Sequence, residues 1–397
     1  MNKSLFGRDF SFAAIAYFFV FLSASVFYLF PLFLNQFHPS KSLVGLIMGI
    51  HSVTAIMVRP LFGRLLDKRG GRRVAILGLL LMIAGMPGFY LIDSAGMLAI
   101  SLRALNGIGW GVSTTALLAI CSDLSPADRM AHSLGIIGVA GIISSAIGPM
   151  LAEEVLRRHS FHAVFSVSLI ALVAALIFVF AIKVVPLSQA SHKVKQTGHI
   201  AAYPRLILLV IAAMPIVHGA VRGTVLNFIA LFGADLGFNR IGPFFLAFST
   251  AAVLTRLGIG DISDRYGRKR IIIPSALLIS INLLWIAGIH SYWAFVVSGF
   301  VAGLGQGLIF PALSTYVIDF LGRENKGLAL GLYLSLFDVG MGLGSPLFGW
   351  ISDAAGYRTM YVVAGCLSVV LTIIFSIKAP VFPMQEHAKE VLDNEGQ

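Results

Sequence analysis

Cysteine and charge are the two things this chain has least of. Cys121 and Cys366 are its only thiols, and both lie in or beside apolar runs, which argues against a disulfide framework and against a cysteine-built metal site. Charged residues make up 12% of the chain, against about 25% in an ordinary soluble domain. Mean hydropathy is correspondingly high, at +0.89. No Walker-type phosphate loop, His-Glu-x-x-His pair or nucleophile elbow occurs, so the chain carries no recognisable ATPase or hydrolase chemistry of its own. The runs Gly107-x-Gly109-x-Gly111 and Gly303-x-Gly305-x-Gly307 sit inside apolar stretches rather than between a strand and a helix, which excludes a dinucleotide loop. Small residues in such places let helices approach closely. The formal net charge is +11, but the basic residues are gathered in short loops between apolar runs, which excludes a nucleic-acid-binding surface.

What is present is a succession of apolar runs long enough to cross a hydrocarbon core as helices. They fall near 10–34, 43–66, 73–92, 97–121, 131–153 and 161–184, then near 206–232, 241–262, 271–289, 292–318, 327–351 and 357–379. The first is too long for a signal-peptide core and has no small-residue cleavage site, so it reads as the first span. The pattern predicts an all-α membrane protein: a six-helix bundle over 1–184, a cytoplasmic linker over 185–205, a second bundle over 206–380 and a polar tail over 381–397. With both termini inside, cytoplasmic connections and tails hold 20 of the 29 lysines and arginines. The outer loops hold Lys41, Arg157, Arg158, Arg240 and Arg358, while Arg59, Arg103, Arg222 and Arg256 fall within spans or at their ends.

Two basic hairpins show that the chain is a duplication. Gly63 to Arg73 reads Gly-Arg-Leu-Leu-Asp-Lys-Arg-Gly-Gly-Arg-Arg, and Gly260 to Arg270 reads Gly-Asp-Ile-Ser-Asp-Arg-Tyr-Gly-Arg-Lys-Arg, 197 residues later. Asp67 maps to Asp264, Gly70 to Gly267, Arg72 to Lys269, and the preceding arginine repeats as Arg59 and Arg256. At an offset of 196, Gly107 matches Gly303, Asp123 matches Asp319 and Gly135 matches Gly331. Six spans per half in the same orientation require an axis along the membrane normal.

On these features the chain resembles the major facilitator superfamily of secondary transporters, and the resemblance covers essentially all twelve spans. Gly260-x-x-x-Asp264-Arg265-x-Gly267-Arg268-Lys269 is a full match to that family's loop signature; the first copy departs from it at Lys68 and Gly71. Arg103-x-x-Asn106-Gly107-x-Gly109 is similar to the helix-4 signature of proton-coupled members, and Gly141, Gly148 and Pro149 resemble the helix-5 motif of exporters. The resemblance implies a latch between the halves on the cytoplasmic side, made by Asp67, Arg72, Asp264, Arg265, Arg268 and Lys269 with Arg59 and Arg256. Against it stands the plainer reading that these charges only enforce topology.

Ionisable groups inside spans are costly, about 2.5–3.5 kcal/mol each even on a lenient scale, so they are expected to face a cavity or a partner. Asp338 is the one carboxylate deep in a span, and it is expected to take up and release a coupling proton. Arg103 and Asn106 share a face of span 4, and His218 and Arg222 form an i, i+4 pair in span 7. These four, with Tyr28, Gln306 and Tyr333 as polar handles, are the candidate substrate-cavity residues. The bland alternative is a static Asp–Arg contact holding the bundle together.

The expectation is a proton-driven exporter of small amphipathic molecules, multi-pass in the inner membrane, with no cofactor, no metal and no enzymatic activity. Its partners are a small-molecule substrate, protons and lipid, not nucleic acid, and a monomer is the family's habit. An importer of an organic anion is the first alternative, because intramembrane arginines outnumber the deep aspartate. A non-transporting receptor is the alternative of another class.

Overall fold

The computed structural model describes residues 7–125, 130–183, 203–259, 267–322 and 325–382. Residues 185–202 of the predicted linker over 185–205, residues 260–266 of the second hairpin over 260–270 and residues 383–397 of the predicted tail over 381–397 lie outside the described residues. Every described element is helical: α1 (Arg8–Val26), a 3₁₀ turn (Phe27–Leu29), α2 (Phe30–Asn35), α3 (Lys41–Arg69), α4 (Gly71–Phe89), α5 (Met97–Leu124), α6 (Met130–Arg158), α7 (Phe161–Ala181), α8 (Arg205–Asp235), α9 (Gly242–Ile259), α10 (Arg268–Ala287), α11 (Tyr292–Leu321) and α12 (Lys326–Lys378). Among the described residues, ten helices are long and apolar enough to cross a membrane.

Helix ends fall where local chemistry puts them. Gly70 closes α3 at φ 82°, and Gly267 precedes α10 at φ 90°, a region that L side chains avoid. The apolar runs expected to end near 351 and resume at 357 are two helical stretches of α12 that meet at a kink, where Gly356 leaves helical geometry at φ 82°, ψ 169°. The first span is broken by its 3₁₀ turn, with Pro31 in the opening turn of α2. Such a turn inside a long helix commonly marks a hinge or a site.

The surface confirms which solvent the helices were selected for. Ile170, Ile177, Leu209, Trp293 and Trp350 are all exposed, more apolar surface than a water-soluble chain leaves uncovered. Inside, contact is made by small residues and short hydroxyl links rather than by water-driven burial. A Cβ on Gly107 would run into the His51 carbonyl of α3, and one on Gly303 into the Phe248 carbonyl of α9. Ser23 and Ser168 are 2.6 Å apart, and Asn227 donates to Ser345 at 2.7 Å.

Two helix pairs make the most extensive contacts between the halves: α3 packs on the first part of α12, and α6 packs on α9. Each is tightest at the end away from the basic hairpins. There Asp353 accepts from the amides of Lys41 and Ser42, at 2.6 and 2.8 Å, capping the start of α3. Glu153 accepts from the amides of Ile241 and Gly242, both at 2.8 Å, at the start of α9. At the basic end, a Cβ on Gly135 or on Gly331 would meet nothing within 4 Å.

Candidate functional site

The middle of the bundle collects the intramembrane charges. Arg59 of α3 donates to Asp338 of α12, a pair that crosses from one half of the chain to the other. Side-chain exposures of 21% and 10% show that the pair is largely but not completely enclosed. Sequence reasoning groups Arg59 with the cytoplasmic latch, because its repeat partner Arg256 precedes the second hairpin. Helix packing places it instead on the residue assigned to the proton.

Around that pair the first half contributes a stack of rings and unmet polar atoms. Trp110 lies 5.9 Å under the Arg59 guanidinium, with His51 at 5.4 Å and Phe21 at 5.6 Å from its own ring. Arg103 is buried, 5.1 Å from Phe27 and 5.9 Å from Phe30, so the 3₁₀ turn supplies its aromatic seat. Asn106 is buried, and among the described residues the Arg103 Nε and Trp110 Nε1 have no hydrogen-bond partner. His51 and Trp110 were not among the predicted site residues. Their signal was available: His51 is a histidine inside a span, and Trp110 shares the face of Arg103 and Asn106.

The second half answers with Arg222 over Phe248 at 5.5 Å, and Arg256 over Phe310 at 5.7 Å. Tyr333 is fully buried between Phe310 and Phe337, and its hydroxyl has no partner among the described residues. Tyr28, half-buried in the 3₁₀ turn, meets Phe245 of α9 at 5.3 Å, a ring contact between the halves. His218 stacks near Phe337 at 5.4 Å and lines a small gap with Ser368 and Thr372, inside the second half rather than between halves. Gln306 is half-buried on α11 and makes no hydrogen bond among the described residues.

Among the described hairpin residues, the hydrogen bonds of Arg72 and Lys269 fall within their own halves. Arg72 donates to the Phe180 carbonyl at 2.7 Å, and its repeat partner Lys269 donates to the Ala379 carbonyl at 2.7 Å. Each satisfies a last-turn carbonyl of a neighbouring helix, where a cation is also favoured by the helix dipole. Arg268 pairs with Asp319 at 3.3 Å. The first half lacks that pair, because Gly71 stands in the place of Arg268 and packs against Ile120, where a Cβ would come within 2.6 Å. Of the other predicted latch residues, Asp264, Arg265 and the side chain of Asp67 lie outside the described residues.

A model of the Major Facilitator Superfamily matches residues 13–257 and again 211–393. The chain belongs to the Major Facilitator Superfamily. As a member it is a membrane transporter and not an enzyme. Among its curated relatives, the staphylopine export protein of Staphylococcus aureus is 23% identical over 88% of this chain and 90% of its own length. Multidrug resistance protein 1 of Bacillus subtilis is 22% identical over 88% of this chain and 91% of its own. The crystal structure of the nucleoside transporter NupG superposes with a TM-score of 0.80 at 14% identity, covering 93% of this chain and 99% of that one. At that identity the superposition speaks for the fold.

Proposed function

We propose that the chain is a proton-driven exporter of small amphipathic molecules, multi-pass in a bacterial-type inner membrane and working as a monomer by alternating access. The observation that carries this reading is the Arg59–Asp338 pair, which joins the two halves at mid-depth. A proton arriving on Asp338 cancels its charge and releases Arg59, so protonation and the packing of the two halves become one equilibrium. Driving force comes from the gradient rather than from a cofactor: one charge moved across 100 mV is worth about 2.3 kcal/mol. The relatives named for export and multidrug resistance favour the outward direction.

In this reading, residues 1–184 and 206–380 are two six-helix bundles joined by the linker 185–205 and followed by the tail 381–397. They make twelve crossings when α9 is counted and α12 is divided at Gly356. Both termini are cytoplasmic, with the basic hairpins. The carboxylate caps at the opposite end then seal the outer face, while the unpacked Gly135 and Gly331 lie on the open, cytoplasmic one. Lipid covers the apolar exterior, and the substrate enters between the bundles.

The test is transport of dyes into everted membrane vesicles with an imposed pH gradient, with fluorescein and ethidium as probes. Asp338→Asn is expected to abolish gradient-driven accumulation while exchange down a dye gradient persists. Accumulation by Asp338→Asn that still follows the pH gradient refutes the proton assignment. A second reading, import of an organic anion, is favoured by the excess of mid-depth arginines over carboxylates; whole cells would then accumulate the anion instead of losing it. A receptor would bind solutes by thermal shift and move none of them.

A further inference from the structure

The internal duplication makes one arginine conspicuous. Arg59 and Arg256 are repeat partners 197 residues apart, and both project from the helix that crosses the other half, α3 onto α12 and α9 onto α6. Arg59 meets Asp338 there. The residue 197 positions before Asp338 is Gly141, and the register is anchored by Pro149 and Pro346 at the same offset. Arg256 therefore reaches a glycine stretch: its Nη1 would lie 2.5 Å from a Cβ on Gly138, which has no other neighbour but the same guanidinium within 4 Å. One half supplies the carboxylate for the other's arginine, and the reverse partner is missing.

The surroundings are built for an anion to fill that vacancy in charge. Arg103, Arg222 and Arg256 have no carboxylate partner among the described residues, so Asp338 offsets a single charge out of four. Among the described residues the Nε of Arg256 has no hydrogen-bond partner, and neither has the hydroxyl of the fully buried Tyr333, close enough to both Arg222 and Arg256 to interact with them. Phe310 and Phe248 hold the two guanidinium groups by their faces, and Tyr28 crosses from the first half. Unpaired charge at membrane depth is stable only with a counter-charge or water, and a planar guanidinium takes a carboxylate bidentately.

We propose that the transported substrate is an organic carboxylate with an aromatic-sized apolar body, whose acid group pairs with Arg256 beside Gly138, one turn from Gly141. Gly141 is the residue quasi-symmetric to Asp338, and there the rings of Phe21 and Tyr17 fill the space. Arg222 and the Tyr333 hydroxyl complete the anion site, and the rings of Phe248, Phe310 and Tyr28 take the body. This rests on the chain being a transporter, but not on its coupling to protons. The bound carboxylate and Asp338 then make equivalent ties between the halves, one brought by the ligand and one permanent.

Matched probes test it on the purified protein: indole-3-acetate against tryptamine, and 1-naphthoate against 1-naphthylmethylamine, read by thermal shift and by calorimetry. Both acids are expected to bind and stabilise, and both amines to do neither. Arg256→Gln should weaken acid binding by at least about tenfold, the loss of one buried charge-assisted pair. Arg256→Lys should retain part of it. Gly138→Asp sets a carboxylate against Arg256, whose flexible end can yield the space, and should compete the acids out to a similar degree. Glu154→Gln, whose carboxylate bonds only within its own helix, should leave acid binding intact; acid binding in detergent involves no pH gradient, which separates this result from the fate of the proton assignment. Binding of the amines as well as the acids, binding of none of the four, or undiminished acid binding by Gly138→Asp overturns the proposal.

Discussion

Removing Asp353 and Glu153 together should open the end of the molecule opposite the basic hairpins. Each carboxylate spans two amides in the opening turn of a helix from the other half, at 2.6 to 2.8 Å. A side-chain cap of this kind is worth about 0.5–2 kcal/mol, and the helix dipole adds roughly 0.3–1 kcal/mol. Asp353 is exposed, so solvent screening favours the low end, about 1 kcal/mol for each site. The two caps sit on different helix pairs and share no partner, so their effects should add to about 2 kcal/mol. That is a shift of about 30-fold towards conformations open at this end, against about fivefold for either single alanine variant. The readout is a distance distribution between spin labels at Ser94→Cys and Ser291→Cys, exposed positions related by the repeat offset. A Cys366→Ser background removes the exposed native thiol, and Cys121 is buried. The long-distance population should grow in Asp353→Ala/Glu153→Ala and stay unchanged in Glu154→Ala, whose carboxylate bonds only to Arg157 and Arg158 of its own helix. An unaltered distribution in the double variant, or the same change in the Glu154 control, would refute the reasoning.

The remaining expectations are simpler. Gly303→Leu should lower thermal stability by roughly 1–3 kcal/mol or more, because its first carbon already collides with the Phe248 carbonyl, whereas Gly331→Ala should be neutral or slightly stabilising. Melting curves in detergent decide between them. Arg59→Gln should cost up to about 3–5 kcal/mol by leaving Asp338 without its partner, and the Arg59→Gln/Asp338→Asn double variant should recover most of it. A double-mutant cycle with no coupling energy would show the pair to be energetically idle.

Much of the architecture was readable from hydropathy and from the repeat, because lipid-crossing helices satisfy their own backbones and so announce themselves locally. The site was readable only in part. Arg103 and Asn106 stood out as polar groups in an apolar run, and they do lie together, with Trp110 one turn on. Arg59 did not join Asp338 on paper, since linear proximity to a basic hairpin suggested another role and the partner lay 279 residues away. Glu153 and Asp353 sit at the ends of apolar runs, where an acid is unremarkable. Capping another half's helix start depends on which ends meet, and spacing along one chain carries no such information. The asymmetry between Gly71 and Arg268 was visible as a mismatch, but its cause, Ile120 pressed against Gly71, needed coordinates.

Composition and periodicity alone settled that the chain is helical, apolar on its outside, duplicated, and sparing with charge inside the membrane. Those properties are set residue by residue, through transfer free energy and helix geometry, and need no knowledge of neighbours. Tertiary packing decided which buried charge answers which: Arg59 finds Asp338, while Arg256, its equal by descent, finds glycine. Electrostatics at mid-depth depends on distances between helices far apart in the chain, so the same two arginines acquire different partners only once the halves are in contact.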